Sequence, residues 1–428
     1  MSRHLNIFLA LALPALACAV ADEPVSGPTL DWPACVGEAL AAHPDLASAR
    51  AALTAAEATE RASRGERRPQ VSAALGYTRS ERDTSAATEE TASDRYDASL
   101  TARQLLFSGG RVAATLDQRQ AEVEQARAAL RRTSLEVGFD LKTAFAGLLY
   151  AQQLEQLTRQ IQARRDENLR LVSLRYEGGR EHKGSMLRSR AAAREARFEV
   201  GRAGRARVVA QRDLANAMGR AESTGLQVAG DYAVAGADAA PDFDALTRSS
   251  PLQDQAEARR RIAAASVRRA RSAFYPELSV SGSLARDDDR FFPEEERWTV
   301  GASLDIPLFE GGARRHDLAA ARAGEQQAQA ELLGVEYDVR RELEQSHAAL
   351  VDDVENLDVR QEFQTAAAVR AEIARSQYTS GLLSFEDWDL IENDLINTEK
   401  SLLAARRDAV LSEATWDLAA GKDVLHAQ

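Results

Sequence analysis

The chain has 428 residues, 44% of them apolar but only 6% aromatic, with a net charge of -12 and a mean hydropathy of -0.37. These values exclude a polytopic helical membrane protein and argue against nucleic acid as the main partner. Much of the apolar share is Ala, which buries too little area for a large globular core but, with Leu, Arg, Glu and Gln, suits long helices.

At the N-terminus a basic start, Arg3-His4, leads into an apolar run from Leu5 to Val20, and Ala19-Val20-Ala21 forms a small-x-small site before Asp22. That pattern predicts a signal peptide over residues 1–21, because the run is too short to span a bilayer with comfort. Ala15-Leu16-Ala17-Cys18 is a poor lipoprotein box, so lipidation of Cys18 is the alternative to cleavage after Ala21. Without Cys18, Cys35 is the only thiol, and no intrachain disulfide can form.

The rest of the chain is one unit written twice, with a period of about 205 residues. Pro44 recurs as Pro251 and Pro69 as Pro276. Tyr96 answers Trp298, Phe107 answers Phe309, and Gly109-Gly110 answers Gly311-Gly312. Leu141 matches Leu343, Tyr176 matches Tyr378, and Gly179 matches Gly381. A coiled coil cannot lose a residue without rotating its apolar seam, so fixed spacing suits long helices. The first repeat occupies 22–219, a linker 220–247, and the second repeat 248–428. In the first repeat, helices are expected from about Trp32 to Arg68, Val112 to Tyr176 and Ser185 to Met218. In the second they run from about Pro251 to Ala273, Arg314 to Tyr378 and Phe385 to Ala420. Leu141, Phe145, Leu148, Leu154, Leu157, Ile161, Leu169 and Val172 recur mostly at helical spacing. A helix from Val112 to Tyr176 is about 96 Å long, a rod that no compact domain accommodates.

Four segments alternate instead. Val71, Ala73, Leu75 and Tyr77 interleave with Ser72, Ala74, Gly76 and Thr78. Tyr96 to Arg103, Leu278 to Leu284 and Trp298 to Ile306 repeat the pattern. Period two is the strand signal, and segments of about ten residues with one apolar and one polar face are what a membrane β-barrel requires. The alternative is two hairpins of a soluble sheet, for which the Ala-rich rods offer little apolar cover. Four strands cannot close a barrel, and an open edge in lipid leaves backbone groups unsatisfied. The chain must therefore share a barrel with copies of itself. Pro69 and Pro276 stand where helix passes into strand, and Gly109-Gly110 and Gly311-Gly312 where strand returns to helix.

These residues resemble the TolC family of outer membrane efflux proteins. The likeness rests on proline before a strand, on Leu106-Phe107-Ser108-Gly109-Gly110 and Pro307-Leu308-Phe309-Glu310-Gly311-Gly312, and on Tyr-x-x-Gly at Tyr176 and Tyr378. The resemblance implies a homotrimer in the outer membrane of a Gram-negative bacterium. A twelve-stranded barrel would join a twelve-helix tunnel through the periplasm, nearly closed at its far end. A periplasmic adaptor (membrane fusion) protein and an inner-membrane transporter of RND, ABC or MFS type would open it. It further implies that Tyr378 helps hold the aperture shut and that Asp387 lines a selectivity ring. The family's second ring aspartate is Leu390 here, a departure. Glu386 and Asp389 either keep the mouth acidic or lie on the solvated face of a helix start. Arg180 and Lys183, in the matching turn of the first repeat, are expected to latch the closed mouth by pairing with acids of the second.

The six histidines are scattered, and no His-x-x-x-His or Cys-x-x-Cys pattern marks a metal site. No nucleophile elbow or phosphate loop appears, so neither an enzyme nor a cofactor is expected. The expected function is export of small toxic molecules from an inner-membrane pump. A type I secretion duct for polypeptides and a non-pore coiled-coil structural protein are the rivals.

Overall fold

The computed structural model describes residues 29–82, 91–232, 234, 236, 241–291 and 295–426; the expected signal peptide and Cys18 lie outside these. Strand β1 (Thr29–Leu30) leads into α1 (Trp32–Ala42) and α2 (Pro44–Arg64). Strands β2 (Gln70–Arg82) and β3 (Thr91–Phe107) form a hairpin before the long α3 (Arg111–Glu177) and α4 (Lys183–Ala217). After β4 (Gln227–Val228) the pattern returns as α5 (Phe243–Ser249), α6 (Pro251–Ser272), β5 (Glu277–Asp288), β6 (Glu295–Asp305), α7 (Ala313–Ser380) and α8 (Phe385–Ala419). Helices α3 and α7 have 67 and 68 residues, about 100 Å each at 1.5 Å per residue.

The continuous helix expected from Trp32 to Arg68 is broken. His43 is extended (φ -67°, ψ 124°), because Pro44 disfavours the helical conformation in the residue before it. The second repeat breaks likewise at Ser250, before Pro251. Within the expected linker, where Val228, Tyr232 and Val234 alternate, the short strand β4 pairs in parallel with β1, and the expected boundary at 247/248 falls inside α5.

Strands β2-β3-β5-β6 form one antiparallel sheet in that order, with β2 and β6 as its edges. Its register sorts the two faces. One row runs Ala73, Leu100, Leu284, Trp298; the next row but one runs Val71, Ala102, Gly282, Val300. The row between them is Ser72, Thr101, Ser283, Thr299. The apolar face is uncovered, with Leu75 88%, Trp298 74% and Val300 70% exposed. Tyr77 stands opposite Tyr96 at one end of it, ring centroids 5.0 Å apart.

At the opposite end of the strands the chain turns back into α3 at Gly109 and Gly110 (φ 59° and 89°) and into α7 at Gly311 and Gly312 (φ 62° and 90°). These are left-handed conformations that glycine adopts without penalty. At Gly109 the space is closed as well, since a Cβ would lie 2.5 Å from that of Tyr275.

The helices form two rows that share the long rods. Next to the sheet, α3 packs on α2 and α6, and α6 on α7; beyond the middle, α3 packs on α4 and α8, and α8 on α7. The repeat equivalence persists in the packing. Leu141 and Leu343 are both fully buried, each in the core around its own rod. Phe145 meets Trp32 edge-on at 5.6 Å, and its counterpart His347 meets Phe243 edge-on at 5.9 Å. Among the described residues no helix is long and apolar enough to cross a membrane.

Candidate functional site

The ends of the two helical hairpins, farthest from the sheet, bring side chains of the two repeats together around Tyr378 and Asp389. Both hairpins turn by the same device. The N–H of Gly179 donates to Tyr176 O and that of Arg180 to Arg175 O; the N–H of Gly381 donates to Tyr378 O and that of Leu382 to Gln377 O. This pairing satisfies the last helix carbonyls and leaves the turn glycine left-handed, at φ 70° for Gly179 and 79° for Gly381. Ser384 caps α8 by accepting from the Asp387 N–H at 3.1 Å, and His182 caps α4 by accepting from the Ser185 N–H on Nδ1 at 3.3 Å.

Tyr378 is fully buried between the hairpins. Its ring stacks on Trp388 at 4.3 Å with the planes 12° apart, inside a cluster of Val172, Ala374 and Phe385. The Arg175 guanidinium lies over the ring, 4.6 Å from its centroid, and donates to the Tyr378 carbonyl at 2.7 Å. The Tyr378 hydroxyl donates to Glu181 Oε2 at 3.0 Å. Burial, and after it the bond to Glu181, pushes the phenol well above its usual range, so Tyr378 stays neutral and keeps donating.

Asp389 stands differently from either expectation. It is 6% exposed, so it neither lines a mouth nor faces water. Arg165 donates to its Oδ1 at 3.3 Å and Arg188 to its Oδ2 at 2.7 Å. Arg165 also donates to Asn393 Oδ1 at 2.6 Å. A buried carboxylate needs such partners to remain charged. Ten residues further along α8, Glu399 is gripped by Arg164 through both carboxylate oxygens, at 2.8 and 2.5 Å. The expected latch residues have no share in this. Arg180 and Lys183 are exposed and make no ion pair among the described residues. The Gly179 turn uses the Arg180 backbone to close α3, and Lys183 is the exposed first residue of α4.

Glu386 and Asp387 are both exposed in the first turn of α8, and Asp387 accepts from the Ser384 hydroxyl at 2.7 Å. Leu390 is 65% exposed. Pro69 and Pro276 directly precede β2 and β5, so the strand–helix corners lie at the far end of the molecule from this site. Sequence reading passed over Glu181, Arg165, Arg175, Arg188 and Trp388. The charge asymmetry of the hairpins was the available signal: α4 carries nine basic and three acidic residues, and α8 three basic and nine acidic. Among the described residues no cluster of potential metal ligands is present.

A family model described as outer membrane efflux protein matches residues 35–220 and 244–422. No curated protein sequence matches the chain. Among solved structures, a membrane protein from Pseudomonas aeruginosa superposes with a TM-score of 0.82 at 21% identity, over 90% of this chain and 92% of that one. VceC from Vibrio cholerae gives 0.77 at 21% identity, over 90% and 95%. The CmeC outer membrane channel of Campylobacter jejuni gives 0.80 at 16% identity, over 98% and 94%.

Proposed function

This chain belongs to the outer membrane efflux protein family, and from that membership we propose that three copies close into a duct for small toxic molecules, fed by an inner-membrane pump through a periplasmic adaptor. It is an outer membrane channel protein of a Gram-negative bacterium that reaches into the periplasm, and not an enzyme. Channels of this family form trimers and work with efflux-system partners.

The observation that carries the proposal is that every layer of the chain ends in free edges of complementary kind. The sheet has β2 at one edge and β6 at the other. The helical rows end in α2 and α4 on one side and in α7 on the other. Copies joined edge to edge satisfy the strand backbones that lipid cannot, and rotation closes such a head-to-tail contact into a ring. The edges of the lower row match chemically. Helix α4 exposes Leu187, Phe198 and Val208; α7 exposes Val359, Val369 and Ile373. Counted from their turns, Arg205 stands as far up α4 as Asp358 does up α7, with Glu355 and Glu362 one turn to either side. All four are exposed and free of ion pairs among the described residues. In the assembled duct the Ser- and Thr-bearing face of the sheet would line water and the Leu, Val and Trp face would meet lipid.

The contacts around Tyr378 then act as the closure at the periplasmic end. They tie α7 and α8 to α3 and α4 within one copy, so opening requires the hairpins to part. Glu386 and Asp387, exposed beside that closure, are placed to give the mouth an acidic rim that favours cations.

The test is deletion of the gene and complementation. Hypersensitivity to small toxic compounds, restored by this chain and not by an Arg205→Asp variant, is the expected result. Loss of a secreted polypeptide with unchanged compound tolerance would overturn the proposal in favour of a type I secretion duct. A monodisperse soluble rod in the periplasmic fraction would overturn the duct itself.

A further inference from the structure

Equivalent helices of the two repeats are capped by different chemistry. In the second repeat, α6 and α8 are capped by Ser250 and Ser384. In the first, α2 and α4 are capped by His43 and His182, each accepting a backbone N–H on Nδ1 at 3.3 Å. A serine cap is indifferent to pH. An imidazole caps only while neutral, because protonation converts Nδ1 from acceptor to donor and places a cation at the positive end of the helix dipole. Histidine changes charge within the range pH 5–8.

The two histidines differ in what surrounds them. His43 is buried, with Asp45 Oδ2 at 4.0 Å, and it shares a cavity of about 570 Å³ with Asp140, Asp213 and Arg407. Two carboxylates there can hold a protonated ring in place. His182 is exposed with positive charges close by in sequence: Arg180 and Lys183 beside it, and Arg188 six residues on in α4. From α3 comes Arg175, committed to Tyr378. From α8 comes Asp389, already held by Arg165 and Arg188. From the end of α7 come the neutral Tyr378 and, exposed, Arg375. Glu177, at the end of α3, is exposed, and the carboxylate bonded to this turn is Glu181, whose Oε1 accepts from the His182 backbone N–H at 3.2 Å while its Oε2 accepts from Tyr378.

We propose that His182 is an acid-sensitive release for the periplasmic closure: its protonation uncaps α4 and draws Glu181 away from Tyr378, so that the channel opens as the periplasm acidifies. This rests on the reading of the Tyr378 contacts as the closure. The residue that titrates and the residue that bolts are adjacent in one turn, and the ring also lies 3.1 Å from the hydroxyl of Ser185, a buried residue. Loss of the cap is therefore felt inside the hairpin rather than in solvent.

The experiment is planar-bilayer conductance of the full trimer at pH 7.5 and 5.5. Three forms are compared: the unaltered chain, His182→Ser, which installs the cap used at Ser384, and Tyr378→Phe. The unaltered chain should conduct several-fold more at pH 5.5, and His182→Ser should stay low at both pH values. Equal acid activation of His182→Ser, which would trace to Glu386 and Asp387 instead, or no activation of the unaltered chain, overturns the proposal. Tyr378→Phe separates the two ideas, because it should open at both pH values if the closure reading holds. Should it not, distances between spin labels at Lys183→Cys still decide the histidine. A separation that grows with acid in the otherwise unaltered chain, but not with His182→Ser, supports the release, and one that is constant in both overturns it.

Discussion

The Tyr378 hydroxyl donates to Glu181 across the two hairpins at 3.0 Å, although 197 residues separate the pair in the chain. A hydrogen bond to a charged acceptor contributes about 1.5–3 kcal/mol, and three copies would supply three such bonds at one aperture. Tyr378→Phe keeps the ring on Trp388 and removes only the donor; Glu181→Gln keeps an acceptor but removes its charge. Both are expected to raise single-channel conductance at neutral pH, Tyr378→Phe the more. Unchanged conductance in both would remove this bond from the closure.

A second prediction separates the cations that hold the acids from those expected to. Asp389→Ala leaves Arg165, whose side chain is 8% exposed, without its carboxylate. Removing one partner of a buried pair costs about 3–5 kcal/mol. Arg188 is 68% exposed at its side chain, so Arg188→Ala should cost far less, within the range of surface pairs. The double variant Arg180→Ala, Lys183→Ala removes no ion pair and should leave stability and closure unchanged. Heat dissociation of the trimer and conductance measure all three; an open channel in the double variant alone would reinstate the latch first expected from the turn.

Much of the fold is legible in the sequence because its signals are periodic. Alternation at Val71–Tyr77 and Trp298–Ile306 sets the strand faces, and the constant offset between Leu141 and Leu343 places equivalent residues in equivalent cores. What stays hidden depends on how one rod is rotated against another. Asp389 is two residues from Asp387, and spacing alone puts both near the turn. Only the setting of α8 against α3 buries one on Arg165 and leaves the other in water. The break at His43 was within reach, since Pro44 restricts the residue before it, but the helical period of the neighbours overrode it.

Cys35 gives a prediction with a pH sign. Burial, and after it Glu38, raises its thiol from 9.0 to about 11. The folded state therefore holds this proton more tightly than the unfolded chain. The associated stability is fully present below pH 9 and is lost as pH rises towards 11. At pH 8 about one thiol in a thousand is ionised, and the thiolate is the reactive form. Maleimide should label the folded protein negligibly and the denatured protein fully. Rapid labelling of the folded trimer would contradict the buried setting and would spoil Cys35 as a silent background for introduced cysteines.

The last prediction concerns the seam between copies. Arg205 and Asp358 are proposed to face one another across neighbouring protomers, so a reversal at either should set like charges against each other. Arg205→Asp and Asp358→Arg should each lower the temperature at which the trimer dissociates, and the double exchange should restore most of the loss. An exposed pair alone contributes about 0.2–1 kcal/mol, but each substitution acts at three symmetric seams, and Glu355 and Glu362 add to the repulsion on Arg205→Asp. The deficit of that single variant should shrink in high salt, which screens exposed charges, while the apolar contacts of Leu187, Phe198 and Val208 are unaffected by the change of sign. Additive losses in the double exchange would show that α4 and α7 do not meet in this register.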